Sequence, residues 1–196
     1  MAMFPSLPQP PQLDSVFRRF PYTAPPLLEF HDRVLRDPSP LTVAERELIA
    51  AYVSGLNACT YCHGSHVIAA EAFGIEPALV SQLLENLDAP AVRSRLTPIL
   101  HFVRKLTLTP SRMTEADAAA VYAEGWEEQA LFDAISVCAL FNFMNRLVEG
   151  LGVQVNPLAM SPEDVAARRA RMAEPGDDPY QAPRSYSALL QRWGLA

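Results

Sequence analysis

Two thiols and an imidazole stand within eight residues of one another: Cys59, Cys62 and His66. Cysteines three apart at the first turn of a helix lie within disulfide reach, and the partial positive charge of the helix N-terminus favours a thiolate there. Such a pair can cycle between dithiol and disulfide. His66 follows Cys62 by four residues, which on a helix places it one turn further on, on the same face, where it can accept the Cys62 proton. An imidazole used in this way needs a partner that settles which nitrogen is protonated, commonly a carboxylate. Glu47, on the preceding helix, is the candidate, and the full pattern reads E-x11-C-x2-C-x3-H.

A second chemistry uses the same atoms. Two cysteines, one histidine and a water make a catalytic zinc set, and a structural zinc site takes four protein ligands. Only His63 or Glu47 is near enough in sequence to complete it, and His63 would face about 100° away from Cys62 on an ideal helix. The thiols are therefore read as a redox pair, with no metal and no cofactor expected and zinc binding kept as the alternative. Cys138, inside the apolar stretch Ala134-Ile-Ser-Val-Cys-Ala-Leu-Phe141, reads as inert core. His31 and His101 have no chemical neighbours in sequence and read as surface or packing residues, and His63 is a candidate pocket wall. Asn142, Asn145 and Arg146 sit in a strongly apolar helix and read as structural ties, because buried polar groups must be paired.

The elements that position these groups are helical. Thr42-Val-Ala-Glu45 matches a capping box and starts a helix that carries Leu48, Ala51, Tyr52 and Gly55 inward and stops near Asn57. A second helix begins at Cys59 or Thr60 and runs to Phe73, with Gly74 as its left-handed stop. Further helices are predicted over 77–87, 91–106, 114–123 and 127–147. Pro77, Pro90 and the box Thr114-Glu-Ala-Asp117 mark the first three starts, and Gly150 or Gly152 closes the last. No segment alternates at period two, so the fold class is all-α, a helical bundle.

Eighteen prolines against eight glycines concentrate in 1–40 and after Asn156. Phe4, Leu7, Val16, Phe17 and Phe20 among those prolines predict an extended arm that packs on something, a neighbouring subunit being one candidate, followed by a short helix over 26–35. Ser161-Pro162-Glu163-Asp164 starts a helix reaching Met172. Its Arg168, Arg169 and Arg171 read as a solvated face pairing with acidic neighbours rather than as an anion site. A loop is expected over 175–183 and a last short helix over 186–193. The chain thus divides into an N-terminal arm (1–40), a helical domain holding the site (41–155) and a C-terminal tail (156–196).

Composition narrows the partners. With 196 residues, 49% hydrophobic and 19% charged, the chain suits one folded domain with extensions. A formal charge of −6 without a dense basic run excludes a phosphate-tracking surface, so no nucleic acid partner is expected. No apolar run approaches the ~20 residues of a bilayer span, and the proline-rich start lacks the form of a signal peptide. A cytoplasmic protein with no membrane partner is expected. Three cysteines cannot form a disulfide framework, and in a reducing compartment two close thiols such as Cys59 and Cys62 are more often catalytic or metal-binding than structural.

The Glu, Cys, Cys and His positions resemble the alkyl hydroperoxidase D (AhpD) family within the carboxymuconolactone decarboxylase superfamily, and more narrowly its peroxidase-related branch. The likeness spans roughly 41–155 and includes Arg104-Lys-Leu-Thr107 and Phe141-Asn-Phe-Met-Asn145-Arg146. It implies an all-helical homo-oligomer, dimer or hexamer, that reduces a hydroperoxide substrate. Cys62 would attack the O–O bond, Cys59 would resolve the sulfenic acid as a disulfide, and His66 with Glu47 would relay protons. A dithiol reductant, lipoylated in the best-known members and not identified by this sequence, would restore the thiols. Tyr61 departs from the founding members, which carry a histidine there; a phenol with a pKa of roughly 10 is a poor base near neutrality. The other readings are a protein-disulfide oxidoreductase and a non-catalytic metal-binding or scaffold protein. Lactone decarboxylation does not require a cysteine pair.

Overall fold

A computed structural model of the chain describes residues 3–173 and 185–195. Among them lie ten α-helices and no strand: α1 (Leu13–Arg19), α2 (Ala24–Arg36), α3 (Val43–Leu56), α4 (Thr60–Ala72), α5 (Leu79–Glu85), α6 (Thr97–Leu108), α7 (Glu115–Ala123), α8 (Glu128–Leu151), α9 (Pro162–Ala173) and α10 (Ala188–Trp193). The expected loop over 175–183 lies outside the described residues.

α3 is the axis of the bundle. Every residue from Arg46 to Ser54 is buried, as befits a helix enclosed on all sides. Its start is the expected box: the Glu45 backbone N–H donates to Thr42 Oγ1 at 3.2 Å and the Thr42 N–H to Glu45 Oε2 at 2.7 Å. α4 returns antiparallel against it, and α6 and α8 close the other sides. Ile49, Tyr52, Ile99, Leu100 and Phe141 form the centre, each almost wholly shielded from solvent.

The turn from α3 to α4 is tight. The Cys59 N–H donates to the Ser54 carbonyl at 3.0 Å and the Ala58 N–H to that of Gly55 at 3.0 Å, a Schellman closure with Ala58 in the left-handed region at φ 54°. Asn57, the C-cap, donates to Asn142 Oδ1 at 3.1 Å and Asn145 Oδ1 at 2.9 Å, which ties the turn to α8. On α4, Gly64 lets another segment come close: a Cβ there would meet Pro157 at 3.0 Å and Leu158 at 3.2 Å of the 3-10 turn Pro157–Ala159.

α8 has the length and composition of a membrane-crossing helix. Here it is a core helix, with Ala134, Val137, Cys138, Phe141, Met144 and Val148 facing inward.

Two expectations change. The helix expected from Ala91 begins instead at Thr97: a 3-10 turn occupies Pro90–Val92, the Ser94 N–H donates to Thr97 Oγ1 at 2.9 Å just ahead of the true start, and Pro98 is tolerated in the first turn as it would not be mid-helix. The N-terminal arm is not extended either. Its prolines bracket α1 and a 3-10 turn at Pro21–Thr23, and Leu7, Val16 and Phe17 are buried in the chain's own bundle.

The C-terminal segment folds back over α2. Buried Asp32 accepts from Ser185 Oγ at 2.9 Å, from the Tyr186 N–H at 2.6 Å and from the Ser187 N–H at 2.9 Å. Trp193 stacks on Phe17, their ring centroids 5.7 Å apart.

Candidate active site

Cys59 is the N-cap of α4 and Cys62 lies in its first turn, so both thiols sit at the positive end of the helix. Both are reduced and buried, Cys59 at 0% and Cys62 at 3% exposure. They hydrogen-bond each other. Hydrogen bonds from the Cys62 thiol and backbone N–H hold Cys59 below its ordinary range against burial and the exposed Glu149 carboxylate. Cys62 is pushed up, because it is the donor to Cys59 and because it is buried, while the Asn145 side chain favours its anion. The pair is therefore asymmetric: ionisation is favoured at Cys59, the sulfur nearer the helix end, and disfavoured at Cys62.

His66 is buried one turn beyond Cys62, and its Nδ1–H donates to Glu47 Oε2 at 2.6 Å, leaving Nε2 as the free nitrogen. Glu47 is fully buried. Its Oε1 pairs with Arg36 Nη2 at 2.6 Å and accepts from Tyr186 Oη at 3.3 Å. Burial pushes this carboxyl up, but Arg36 and His66 together hold it down to about 2. Phe141 sets the tilt of the imidazole by an edge contact at 4.3 Å. The structure thus brings together all four residues singled out by the motif, and Glu47 is a buried ion-pair member rather than a member of a charged, solvated helix face.

Several site residues left no signal in the sequence. Arg36 reaches Glu47 from α2, its guanidinium over the Phe73 and Tyr186 rings at 5.2 and 5.1 Å. Tyr186 arrives from 139 residues further along the chain. Asn145 was read as a tie and is one, donating to Ser54 Oγ at 3.0 Å, but it also touches Cys62. His31 is the packing residue of the two readings and not a surface one: it is buried beside the site, 6.2 Å from Phe141 and 5.1 Å from Tyr186 between ring centroids. Burial lowers its pKa to about 4, so the ring is neutral, with Nδ1–H donating to the Leu27 carbonyl at 2.7 Å.

The other candidates stay apart. His63 turns away to the Ala51 carbonyl at 3.0 Å, His101 is exposed against Asp88, and Cys138 is buried beside Thr107 with its thiol pushed up by burial. Among the described residues no group of three or more His, Cys, Asp or Glu side chains is arranged to hold a metal ion.

A cavity of about 410 Å³ opens onto Cys62 and His66, walled by Tyr61, Phe141, Met144 and Tyr186. Cys59 does not line it. A small molecule entering there meets the Cys62 sulfur and the imidazole together.

The chain is an all-α bundle with a CxxC pair at a helix N-terminus and a buried His–Glu couple. Residues 21–97, which include Arg36, Glu47, Cys59, Cys62 and His66, match the model of the carboxymuconolactone decarboxylase family. No curated protein matches the sequence. Two solved structures share the fold. One is an uncharacterized peroxidase-related protein from Silicibacter sp. TM1040, at 24% identity and a TM-score of 0.67 over 78% of this chain and 87% of that one. The other is the alkylhydroperoxidase AhpD core of an uncharacterized peroxidase-related protein from Ralstonia eutropha JMP134, at 24% identity and a TM-score of 0.68 over 79% of this chain and 78% of that one. The resemblance carried by the motif is borne out by this match and by the shared fold.

Proposed function

We propose that this protein is a thiol peroxidase that reduces hydroperoxides through Cys59 and Cys62. The observation that carries the reading is a cavity shared by Cys62 and His66, with the imidazole held by a fully buried carboxylate. The peroxidase-related descriptions of the two structural neighbours point the same way.

The chemistry follows from the geometry. His66 Nε2 takes one proton from the dithiol pair, and Glu47 stabilises the imidazolium. The remaining proton shifts to Cys59 along the S–H···S contact, which leaves the anion on Cys62. That thiolate attacks the terminal peroxide oxygen: an S–O bond forms, the O–O bond breaks, and the alkoxide takes the proton from His66 as alcohol. The Cys59 thiol then attacks the Cys62 sulfenic acid, a disulfide forms and water leaves. An external dithiol reduces the disulfide and restores both thiols. The near-complete burial of both sulfurs favours a hydroperoxide slender enough to enter the cavity over a disulfide held in the body of another protein.

The test is to treat the reduced protein with one equivalent of hydroperoxide and map disulfides by peptide mass. A Cys59–Cys62 bond is expected, absent in Cys62→Ser and formed at least about a hundredfold more slowly in His66→Ala, in line with loss of a general base. Peroxide left unconsumed by the wild-type protein with a dithiol present would rule the reading out.

A further inference from the structure

Among the described residues the cavity over Cys62 carries cations without carboxylates. Arg168 and Arg171, three apart and so on one face of α9, line it together with Arg192 of α10, and no described Asp or Glu does. Arg36 lines it as well, but its charge is committed to Glu47. Among the described residues Arg168, Arg171 and Arg192 have no ion pair, whereas Arg169 between them turns to Glu71. The pairing with an acidic neighbour expected of this basic run is therefore seen, among the described residues, at Arg169 alone. On a chain of net charge −6, three cations gather at one opening. Arg171 and Arg192 are exposed and Arg168 half-buried, whereas Cys62 is buried.

Beside the cations the lining has an apolar set, Leu28, Leu189 and Trp193 joined by Met144, Met160 and Met172, together with the polar groups of His31, Ser65, Ser185 and Tyr186. Methionines are unbranched and polarizable and repack around irregular apolar ligands. Guanidinium groups grip carboxylates through two parallel hydrogen bonds. A ligand that satisfies both zones has an anionic head and a flexible apolar body.

We propose that the substrate is an amphipathic carboxylate, a hydroperoxide of a long-chain fatty acid. Its carboxylate sits among Arg168, Arg171 and Arg192, and its chain runs along the methionine-lined wall toward Cys62. The turnover of such a substrate rests on the peroxidase reading; the binding of its parent acid does not.

Because Trp193 lines the cavity, quenching of tryptophan fluorescence reports occupancy. Dodecanoate is expected to bind the reduced protein at least about tenfold more tightly than methyl dodecanoate at low ionic strength, with the preference shrinking as salt is added. In R168Q/R171Q/R192Q the ratio should fall to about one, with R171Q/R192Q, both at exposed positions, carrying the test if the triple variant does not fold. The same comparison of kcat/KM between a fatty-acid hydroperoxide and its methyl ester tests the catalytic half. Equal binding of acid and ester by the wild type overturns the proposal, and a preference that survives in the variants overturns the role given to the arginines. Selective binding of the acid without any hydroperoxide reduction keeps the anion site and removes the peroxidase reading.

Discussion

Glu47 is ionised where burial alone would neutralise it, and the cause is two partners on opposite oxygens, Arg36 and His66, each at 2.6 Å. His31, against the same Phe141 and Tyr186 rings as His66, is the opposite case: among the described residues no carboxylate pairs with it, and burial keeps it neutral. Both groups link stability to pH. In the folded protein His31 takes up a proton only as the pH falls to about 4, whereas the unfolded chain does so near 6.5. The unfolded state then binds more protons, so stability is full above 6.5 and declines toward pH 4, by about 3 kcal/mol. Glu47, lowered from 4.5 to about 2, contributes stability that is full above 4.5 and is lost as the pH falls toward 2. Denaturant titrations across this range should show both declines, and His31→Gln should abolish the upper one while leaving the lower. An unchanged upper decline in that variant would show that His31 is not its source.

At the scale of elements, the turn between α3 and α4 places the thiols. The Schellman closure wants glycine at its left-handed position, and this chain has Ala58 at φ 54°. Relief of that strain predicts that Ala58→Gly raises unfolding stability by about 1 kcal/mol. Urea melts check the gain, and disulfide mapping checks that the Cys59–Cys62 bond still forms. A loss of stability would mean that the added freedom of the unfolded chain outweighs the strain. The same turn is bonded through Asn57 to α8, which also delivers Asn145 to Cys62, so a single helix braces the turn and touches the sulfur.

Across the whole molecule, the site is closed by the two ends of the sequence. α2 brings Arg36 and His31, and the C-terminal segment brings Tyr186 and Arg192, with Asp32 as the clasp between them. Asp32→Ala strands the Tyr186 and Ser187 N–H groups, and the loss should cost about 2 kcal/mol or more. Limited proteolysis should then release the C-terminal segment before the bundle unfolds, and oxidation of Cys62 should become sensitive to larger reagents. Equal protease resistance in variant and wild type would mean that the tail is held chiefly by Trp193 on Phe17 and not by the clasp.

The all-α class, the capped starts at Thr42 and Thr114, the stops at Gly74 and Gly152, and the alignment of Cys59, Cys62 and His66 were legible because each depends on neighbours within a turn or two of helix. Pro90 misled, since only tertiary packing shows which of two prolines opens α6. The tertiary structure alone decided that Arg36 and Tyr186 meet at Glu47, that His31 is buried and neutral, and that two of the three arginines of α9 face the thiol cavity while the third pairs with Glu71. Those contacts join positions as far as 139 residues apart, and no local pattern encodes them. They arise because buried charges need partners, and only the folded chain determines which partners come within reach.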